Sequence, residues 1–316
     1  MTASNIQIVK SKKMLSILAA LLLLFASQQV FSQQRAQFTQ YISNELLINP
    51  AYAGAEEALS ISLFHRMQWS DIEGSPTTQA FSGHSLMGSN KLGLGLIVIN
   101  DKIGIHNIIT ASSSFAYRIQ LNKDAFLSFG LQFGVNQKRS DFSSLSGQIQ
   151  NPNDPKINSS NISEVNFEFG SGIYLITPRL NIGISMPNML NENTTMDSLG
   201  YNLLDNNLYF LTRYSIPISH NFSIQPGFLV KYINDSPLSV DLNLATVINN
   251  VLLIGVSYRW EESINPIVQA KITPQFKIGY AYDYPLAGAN SYGSASHEFM
   301  LSYLFSFSQH KVSRLR

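Results

Sequence analysis

Apolar and polar residues alternate along most of this chain with a period of two. The clearest window contains Leu127, Phe129, Leu131, Phe133 and Val135, which are separated by small or polar residues. In an extended chain this alternation places the apolar side chains on one face and the polar side chains on the other. The pattern therefore predicts β-strands rather than helices.

Windows of this kind recur along the chain and give fourteen predicted strands. They span residues 59–69, 77–87, 92–100, 107–118, 125–136, 165–176, 179–187, 206–216, 221–232, 237–248, 250–260, 264–273, 275–284 and 297–308. Strands of soluble proteins average about five or six residues, whereas a tilted strand that crosses an outer membrane needs about nine to eleven. We therefore predict an all-β fold: a transmembrane, antiparallel, up-and-down β-barrel of about fourteen strands over residues 59–308.

The ionisable side chains in these windows lie on the face opposite the apolar residues. A charge that faces lipid is costly, whereas a lumen of water or polar side chains can solvate it. We expect twelve side chains, eight positive and four negative, to point into the lumen: Arg66, Arg118, Glu168, Arg179, Arg213, Lys231, Asp241, Arg259, Lys271, Lys277, Asp283 and Glu298.

The connections between the predicted strands alternate between short and long. Three long ones, at residues 137–164, 188–205 and 285–296, follow odd-numbered strands and are rich in Asn, Ser, Asp, Gly and Pro, as exposed loops are. Outer-membrane barrels have short periplasmic turns and longer outer loops, and an even strand count places both termini in the periplasm. We predict this topology for the chain.

The N-terminus has the features of an export signal. A basic stretch precedes an apolar run from Met14 to Ala26, which is too short to span a bilayer comfortably as a helix. Small residues follow the run, as they do at signal-peptidase sites. We predict a signal peptide at residues 1–32 that is cleaved after Ser32. A lead-in at 33–58 would then precede the barrel, and a tail would follow it at 309–316.

The composition narrows the function classes. Charged residues make up 13% of the chain and apolar residues 45%, so the charged fraction is about half that of a typical soluble domain. The lack of cysteine argues against a disulfide scaffold, a thiolate metal site, a cysteine nucleophile and a lipoprotein anchor on this chain. A formal net charge of +1 removes the electrostatic basis for nucleic-acid binding.

The titratable residues give little support for catalysis. The six histidines, at positions 65, 84, 106, 220, 297 and 310, lack the spacing of a metal site. His106 near Asp101, or His297 beside Glu298, would be the candidates for a hydrolase at the barrel rim. Histidines in surface loops are far commoner, so we predict no enzyme activity, no metal site and no cofactor.

The segment at residues 37–54 precedes the first predicted strand and does not alternate. Its Asn49-Pro50 and Ala53-Gly54 pairs are turn signals. Such a segment could plug the lumen, pair with the barrel wall or present a surface to a periplasmic partner. A structured lead-in that only packs is equally compatible with the sequence.

Two pieces of this segment, QFTQY at 37–41 and INPAYAG at 48–54, resemble the opening of the PorP/SprF family. Members of that family are outer-membrane proteins of the type IX secretion system in Bacteroidetes. Further pieces agree in order: RMQW at 66–69, SPTT at 75–78, NDKIG at 100–104, AYR at 116–118, LSFGL at 127–131 and GYAYD at 279–283. Ser70-Asp71 departs from the family, whose members often carry a glycine soon after the tryptophan. The departure concerns the shape of the first outer loop.

The resemblance implies a part in exporting large cell-surface proteins, including gliding adhesins, through a partner translocon. Some members also attach to peptidoglycan-linked periplasmic lipoproteins. The partners implied are type IX secretion components, secreted client proteins with sorting domains, periplasmic lipoproteins and membrane lipid, with no nucleic acid. The candidate partner-binding residues are Phe38, Gln40, Tyr41, Asn49, Pro50, Tyr52, Gly54, Trp69, Pro76 and Asp101.

Three of these candidates lie in the predicted outer loops. Trp69, with the loop that ends at Pro76, could grip the sorting domain of a client, since aromatic anchors dominate interface energetics. A tryptophan of the interfacial girdle beside an ordinary hairpin loop is the simpler interpretation. Asp101 and Lys102 are predicted to form a turn in the next outer loop.

Two other functions stay open at this point. A passive channel or small-solute transporter would use the lumen, which fourteen strands make wide enough for a small solute unless it is plugged. The inward excess of Arg and Lys would then favour anions. A structural anchor between outer membrane and cell wall would bind periplasmic lipoproteins but no client.

Overall fold

The computed structural model describes residues 36–87, 91–142, 162–190, 206–233, 236–286 and 295–305. Fifteen strand segments account for most of them: β1 (Leu59–Met67), β2 (Thr77–Met87), β3 (Leu92–Ile103), β4 (His106–Gln120), β5 (Phe126–Ser140), β6 (Ile162–Ile176), β7 (Leu180–Met186), β8 (Asn207–Tyr214), β9 (Ile216–Ser219), β10 (Phe222–Ile233), β11 (Ser239–Ile248), β12 (Leu252–Arg259), β13 (Ser263–Lys271), β14 (Phe276–Pro285) and β15 (Ser296–Phe305). The described residues contain no helix that is both long and apolar enough to span a membrane.

The strands form one closed antiparallel barrel. Neighbours along the chain pair with each other, and the first strand pairs with the last in a register that runs from Leu59 opposite Phe305 to Met67 opposite His297. Because β8 and β9 both pair with β10, they are two parts of one wall strand. The barrel therefore has fourteen wall strands, which confirms the predicted fold.

The interruption between β8 and β9 has a local cause. The pairing with β10 ends at Arg213 opposite Gly227 and resumes at Ile216 opposite Ile224, and Pro226 of β10, which lies in this gap, lacks the amide hydrogen that a ladder bond needs. The sequence predicted one continuous strand over 206–216, whereas the structure has two segments that continue to Ser219.

The strand boundaries agree with the alternation to within a few residues, with one consequence for the candidate site. The predicted turn at Asp101 and Lys102 is wrong, because both residues lie in β3 and pair with Thr78 and Thr77 of β2. Asp101 is buried and accepts a hydrogen bond from the Thr78 hydroxyl at 2.6 Å, and this contact lets the strand continue past the last apolar residue of the window.

The two faces of the wall have opposite chemistry. In β5, Leu131 and Phe133 on the outer face are 46% and 50% exposed, whereas Gln132 and Asn136 on the inner face are buried. Of the twelve ionisable side chains predicted to point inward, these eight are buried in the barrel: Arg66, Arg118, Glu168, Lys231, Asp241, Arg259, Asp283 and Glu298. An apolar outer band around a polar interior is what a lipid environment requires.

The remaining four predicted inward charges lie nearer the strand ends. Arg213 and Lys277 are half-buried, and Lys271 is exposed at the end of β13. Arg179 is exposed in the turn before β7 rather than in a strand. Turns are in contact with water, so a charge there needs no place in the lumen.

The two rims of the barrel differ in their connections. We call the rim where β1 begins the turn rim, because the described connections there are short, as at residues 121–125 and 177–179. We call the opposite rim the loop rim, because the long connections at 141–161, 187–206 and 286–295 all lie there. This confirms the predicted alternation of short and long connections; most residues of those three loops lie outside the described part of the chain.

The residues that precede β1 lie inside the barrel. Residues 36–58, here called the plug segment, contain three short 3-10 helices: η1 (Thr39–Ser43), η2 (Glu45–Leu47) and η3 (Pro50–Tyr52). Leu46, Ala53 and Glu45 are completely buried. The main hydrophobic core of the molecule therefore lies between the plug segment and the inner wall, where Tyr52 of the segment meets Tyr174 of β6.

Candidate functional site

The plug segment crosses the lumen from one rim to the other. Near its start, the backbone N–H of Thr39 donates to Oε2 of Glu298, close to the loop-rim end of β15, at 2.8 Å. Near its end, the N–H of Gly54 donates to Nδ1 of His84, close to the turn-rim end of β2, at 3.2 Å. The chain then enters β1 at Leu59. Of the three placements that the sequence left open for this segment, the structure has the one inside the lumen.

A group of buried charges holds the start of the plug segment. The Thr39 hydroxyl donates to Asp283 at 2.8 Å, and the Gln40 backbone N–H donates to Oε1 of Glu298 at 2.8 Å. Arg66 of β1 bridges both carboxylates, at 2.6 Å to Asp283 and 3.2 Å to Glu298. One guanidinium and several plug donors thus satisfy two carboxylates that would otherwise be costly to bury.

Glu45 ties the middle of the plug segment to the far wall. Its Oε1 lies 3.2 Å from Nη2 of Arg213 in β8, and its Oε2 accepts a hydrogen bond from the Tyr174 hydroxyl of β6. Arg213 also donates to the carbonyl of Ile42 at 2.8 Å. The carboxylate is completely buried, so these partners replace the water it would have in the unfolded chain.

Asn49 and Pro50 shape the last helix of the segment and fix it to the wall. Oδ1 of Asn49 accepts from the N–H of Ala51 at 2.9 Å and so caps η3, whose first residue is Pro50. This is the position where proline is favoured, because its missing N–H would have no partner there. Nδ2 of Asn49 donates to the carbonyls of Ile173 and Ile184 at 3.2 and 3.4 Å. The turn signal in the sequence is therefore also an attachment point.

A row of small residues in the wall makes room for η3 and the turn that follows it. Its members are successive cross-strand partners on β3 to β7 and are called here the small-residue row: Gly93, Ala116, Gly130, Gly172 and Ser185. A Cβ atom on Gly93 would lie 2.0 Å from the carbonyl oxygen of Ala53, and one on Gly130 would lie 2.2 Å from the backbone nitrogen of Ala51. Larger residues here are incompatible with the segment as placed.

The end of the plug segment is fixed by its backbone. Gly54 has a φ of +77°, a conformation that glycine adopts without strain. Arg118 of β4 donates to the Gly54 carbonyl at 3.2 Å and forms an ion pair with Glu57 at 3.4 Å. The ring of Tyr52 packs edge-on against His84, with 5.4 Å between ring centroids.

Seven of the ten candidate partner-binding residues lie together in the plug segment: Phe38, Gln40, Tyr41, Asn49, Pro50, Tyr52 and Gly54. All seven are buried. The Phe38 ring lies 5.6 Å from that of Phe64 in β1, and the Tyr41 hydroxyl accepts from Nδ2 of Asn243 at 2.5 Å. In this structure, the contacts of these side chains are with residues of the same chain.

The other three candidates lie at the loop rim. Asp101 belongs to β3, as described above. The carbonyl of Pro76 accepts from the N–H of Gln68 at 2.9 Å and closes the loop between β1 and β2. Trp69 is 40% exposed and has a φ of +50°, an uncommon conformation for a residue other than glycine.

Contacts on both sides fix the loop that carries Trp69. The N–H of Trp69 donates to the hydroxyl of Ser296 at 3.2 Å, and the N–H of Ser70 donates to the carbonyl of Ala295 at 3.2 Å. On the other side, the N–H of Gly104 donates to the carbonyl of Gly74 at 2.9 Å. The loop therefore presents its exposed tryptophan on an ordered backbone.

Sequence reasoning placed several site residues in the lumen without finding what they bind. The inward parity of Arg66, Arg213 and Glu298 was visible in the alternation, but their partners in the plug segment lie up to 259 residues away. Nothing in the sequence marked Glu45 as a site residue, because the segment around it does not alternate. No cluster of three or more metal-binding side chains occurs in the described ranges.

The fold and the site together define a class: an outer-membrane β-barrel whose lumen is occupied by its own N-terminal segment. A family model described as type IX secretion system membrane protein PorP/SprF matches residues 30–303. The chain belongs to this family, which confirms the resemblance of its lead-in and strands. No curated protein matches the chain.

Several solved outer-membrane proteins are similar to this structure at low sequence identity. The CymD monoaromatic hydrocarbon channel has a TM-score of 0.52 at 13% identity, over 84% of this chain and 93% of that chain. The outer membrane protein Omp33 of Acinetobacter baumannii has 0.47 at 9%, over 79% and 100%. The toluene transporter TodX of P. putida has 0.48 at 8%, over 84% and 95%. At such identities the likeness concerns the fold alone.

Proposed function

We propose that this barrel is a noncatalytic docking component of the type IX secretion system, which assists export or surface display of large proteins such as gliding adhesins. It binds secreted clients on its outer side and periplasmic partners on its inner side. The observation that carries the proposal is the plug segment, which occupies the lumen and is bonded to strands on many sides of the wall. With the lumen filled, the rims are the surfaces available to a secreted client or a periplasmic partner.

The loop rim offers a suitable surface for a client. Trp69 stands exposed on an ordered loop, and Ile72 on the same loop is 40% exposed. Exposed aromatic anchors on a fixed backbone bind with little loss of conformational freedom. The client side of the proposal therefore rests on the loop at residues 68–76.

Deletion of the gene tests the proposal. We expect adhesins to stay inside the cell in the deletion strain and to reach the surface again when the wild-type gene is restored. Normal surface display in the deletion strain would contradict the proposal.

A Trp69→Ala variant tests the loop itself. Truncation of an interface anchor costs about 2 kcal/mol or more, so crosslinked pull-down from outer membranes should recover about thirtyfold less client. Trp260→Ala is the matched control, because Trp260 is 57% exposed and also lies at the loop rim, between β12 and β13. Equal losses in the two variants, or none in either, would remove the loop from the client site.

The alternative is a passive channel or small-solute transporter. This alternative is supported only by the similarity in fold to the CymD hydrocarbon channel. It predicts that uptake of a small solute falls in the deletion strain while adhesins are displayed normally, which is the reverse of the pattern expected for a docking component.

A further inference from the structure

The outer wall of the barrel carries an apolar groove on its lipid-facing side. It spans β3 to β8 and has a volume of ≈ 810 Å³. Its lining includes the outward side chains Leu94, Phe115, Leu131, Ile173 and Ile184, each of which is more than a third exposed. A barrel wall is convex toward lipid, so a concavity over six neighbouring strands needs a cause.

The cause lies in the small-residue row on the inner face. Its five members also contribute atoms to the groove lining, and two rows of larger outward side chains flank it. Inside the barrel, the same row lies against the backbone of the plug segment, where Gly93 and Gly130 have no room for a Cβ atom. A wall built only of backbone and small side chains is thin, so the groove lies directly outside the place where η3 is seated.

Positive charge lies next to the groove at the turn rim. Lys91 precedes the lining residue Leu92, and Lys123 and Arg179 lie in the turns between β4 and β5 and between β6 and β7. All three are exposed. Asp124 is the one acidic residue among residues 91, 121–125 and 177–179, so the described connections on this side carry a net charge of +2 (three basic residues minus one acidic).

We propose that the groove is a binding site for an anionic phospholipid. One acyl chain lies in the groove, and the phosphate group is held at the turn rim by Lys123 and Arg179. The apolar groove lies at the depth of the hydrocarbon layer and matches the acyl chain of such a lipid. The cations lie at the level of the headgroups and match its phosphate group. The wall strands around the groove are paired on both sides, so they offer no free edge to a partner strand.

Photoactivatable lipids test the site in the full-length protein. The purified barrel is placed in nanodiscs that contain phosphatidylglycerol with a diazirine in its acyl chain, and crosslinked peptides are quantified by mass spectrometry. We expect the label to concentrate on the outward residues of β3 to β8 relative to β11 to β15. Ser171→Phe should reduce that excess, because Ser171 lines the groove from the lipid side and a phenyl ring there takes up part of the space for an acyl chain.

The matched control for Ser171→Phe is Ala270→Phe. Ala270 is a small residue of β13, outside the groove lining, and its side chain points outward, opposite in parity to the buried Gln269. This variant should keep the excess label on β3 to β8. Even labelling around the wild-type barrel, or an unchanged pattern in Ser171→Phe, would overturn the proposal. In native membranes, a groove that stays unlabelled while the rest of the wall is labelled would also overturn the proposal, because a partner protein would then occupy the groove.

The headgroup is tested by lipid competition. A cation near a membrane surface contributes about 1 kcal/mol to binding an anionic lipid, which corresponds to about fivefold in affinity per cation. Phosphatidylglycerol should therefore label the groove more strongly than phosphatidylcholine, and the double variant Lys123→Gln with Arg179→Gln should lose that preference. Lys271→Gln, on the same rim but at the end of β13, should retain it. Equal labelling by the two lipids in the wild type would contradict the assigned headgroup.

Discussion

At the scale of single residues, the wall and the plug segment constrain each other most tightly where side chains are absent. Gly130 is an inward position of a strand, where a polar side chain would be ordinary, yet the backbone of Ala51 takes the space of its Cβ atom. The alternation identifies such a position as small and inward. It does not reveal why it is small, since the neighbour that requires it is far away in sequence.

Replacing Gly130 with alanine tests the seat of η3. A Cβ atom 2.2 Å from backbone must displace the plug segment or the strand, and overpacking of this kind costs about 1–3 kcal/mol. The free energy of unfolding, measured by urea titration of the protein in lipid vesicles, should fall by that amount. Gly83→Ala is the control, because its Cβ atom would meet its nearest neighbour at an ordinary 3.6 Å. A neutral Gly130→Ala would show that η3 is not seated there.

Arg66 gives a second test at this scale. Its removal leaves Asp283 and Glu298 without their shared cation, and breaking a buried ion pair costs about 3–5 kcal/mol. In the same titration, Arg66→Ala should show a loss of this size, with part of it recovered in Arg66→Lys, which keeps the charge but not the two-pronged geometry. Lys102→Ala, at an exposed position of the loop rim, should change stability by less than about 0.5 kcal/mol. Equal effects at Arg66 and Lys102 would contradict the role of the buried charges.

At the scale of elements, the strands could be predicted from the sequence and the plug segment could not. The alternation of apolar and polar residues specifies which side chains face lipid. The predicted bounds of β2 agree with the structure because both faces of this strand follow the alternation. The plug segment has no period. Its position depends on contacts with residues such as Asn243 and Glu298, about 200 or more positions away, and no local pattern encodes them.

The direction of the plug segment leads to a topological prediction. The described chain starts at the loop rim, while β15 ends at the turn rim. With the longer loops outside, Ala36 should therefore face the cell exterior, whereas the sequence-based expectation placed both termini in the periplasm. Because the chain has no cysteine, single cysteines can report on this.

Ala36→Cys should react with a membrane-impermeant maleimide added to intact cells. Lys123→Cys, in an exposed turn at the opposite rim, should react only after the outer membrane is permeabilised. The reverse pattern would place the loop rim in the periplasm, and protection of both cysteines in intact cells would contradict the proposed path of the chain toward the exterior.

At the scale of the whole molecule, the apolar outer face, the buried charges and the plug segment form one arrangement. The wall isolates polar groups from lipid, and the plug segment supplies many of the partners those groups need. The sequence predicted the barrel and the family. It left open whether the lumen is filled, and this question separates a docking component from a pore.

Conductance across planar lipid bilayers tests the central claim most directly. The wild-type protein should show no steady open pore, because the plug segment occupies the lumen. A chain that lacks residues 36–55, confirmed as a folded barrel by its circular dichroism, should open steady channels. Steady channels of defined size in the wild-type protein would contradict the account, and so would a folded deletion variant that stays closed.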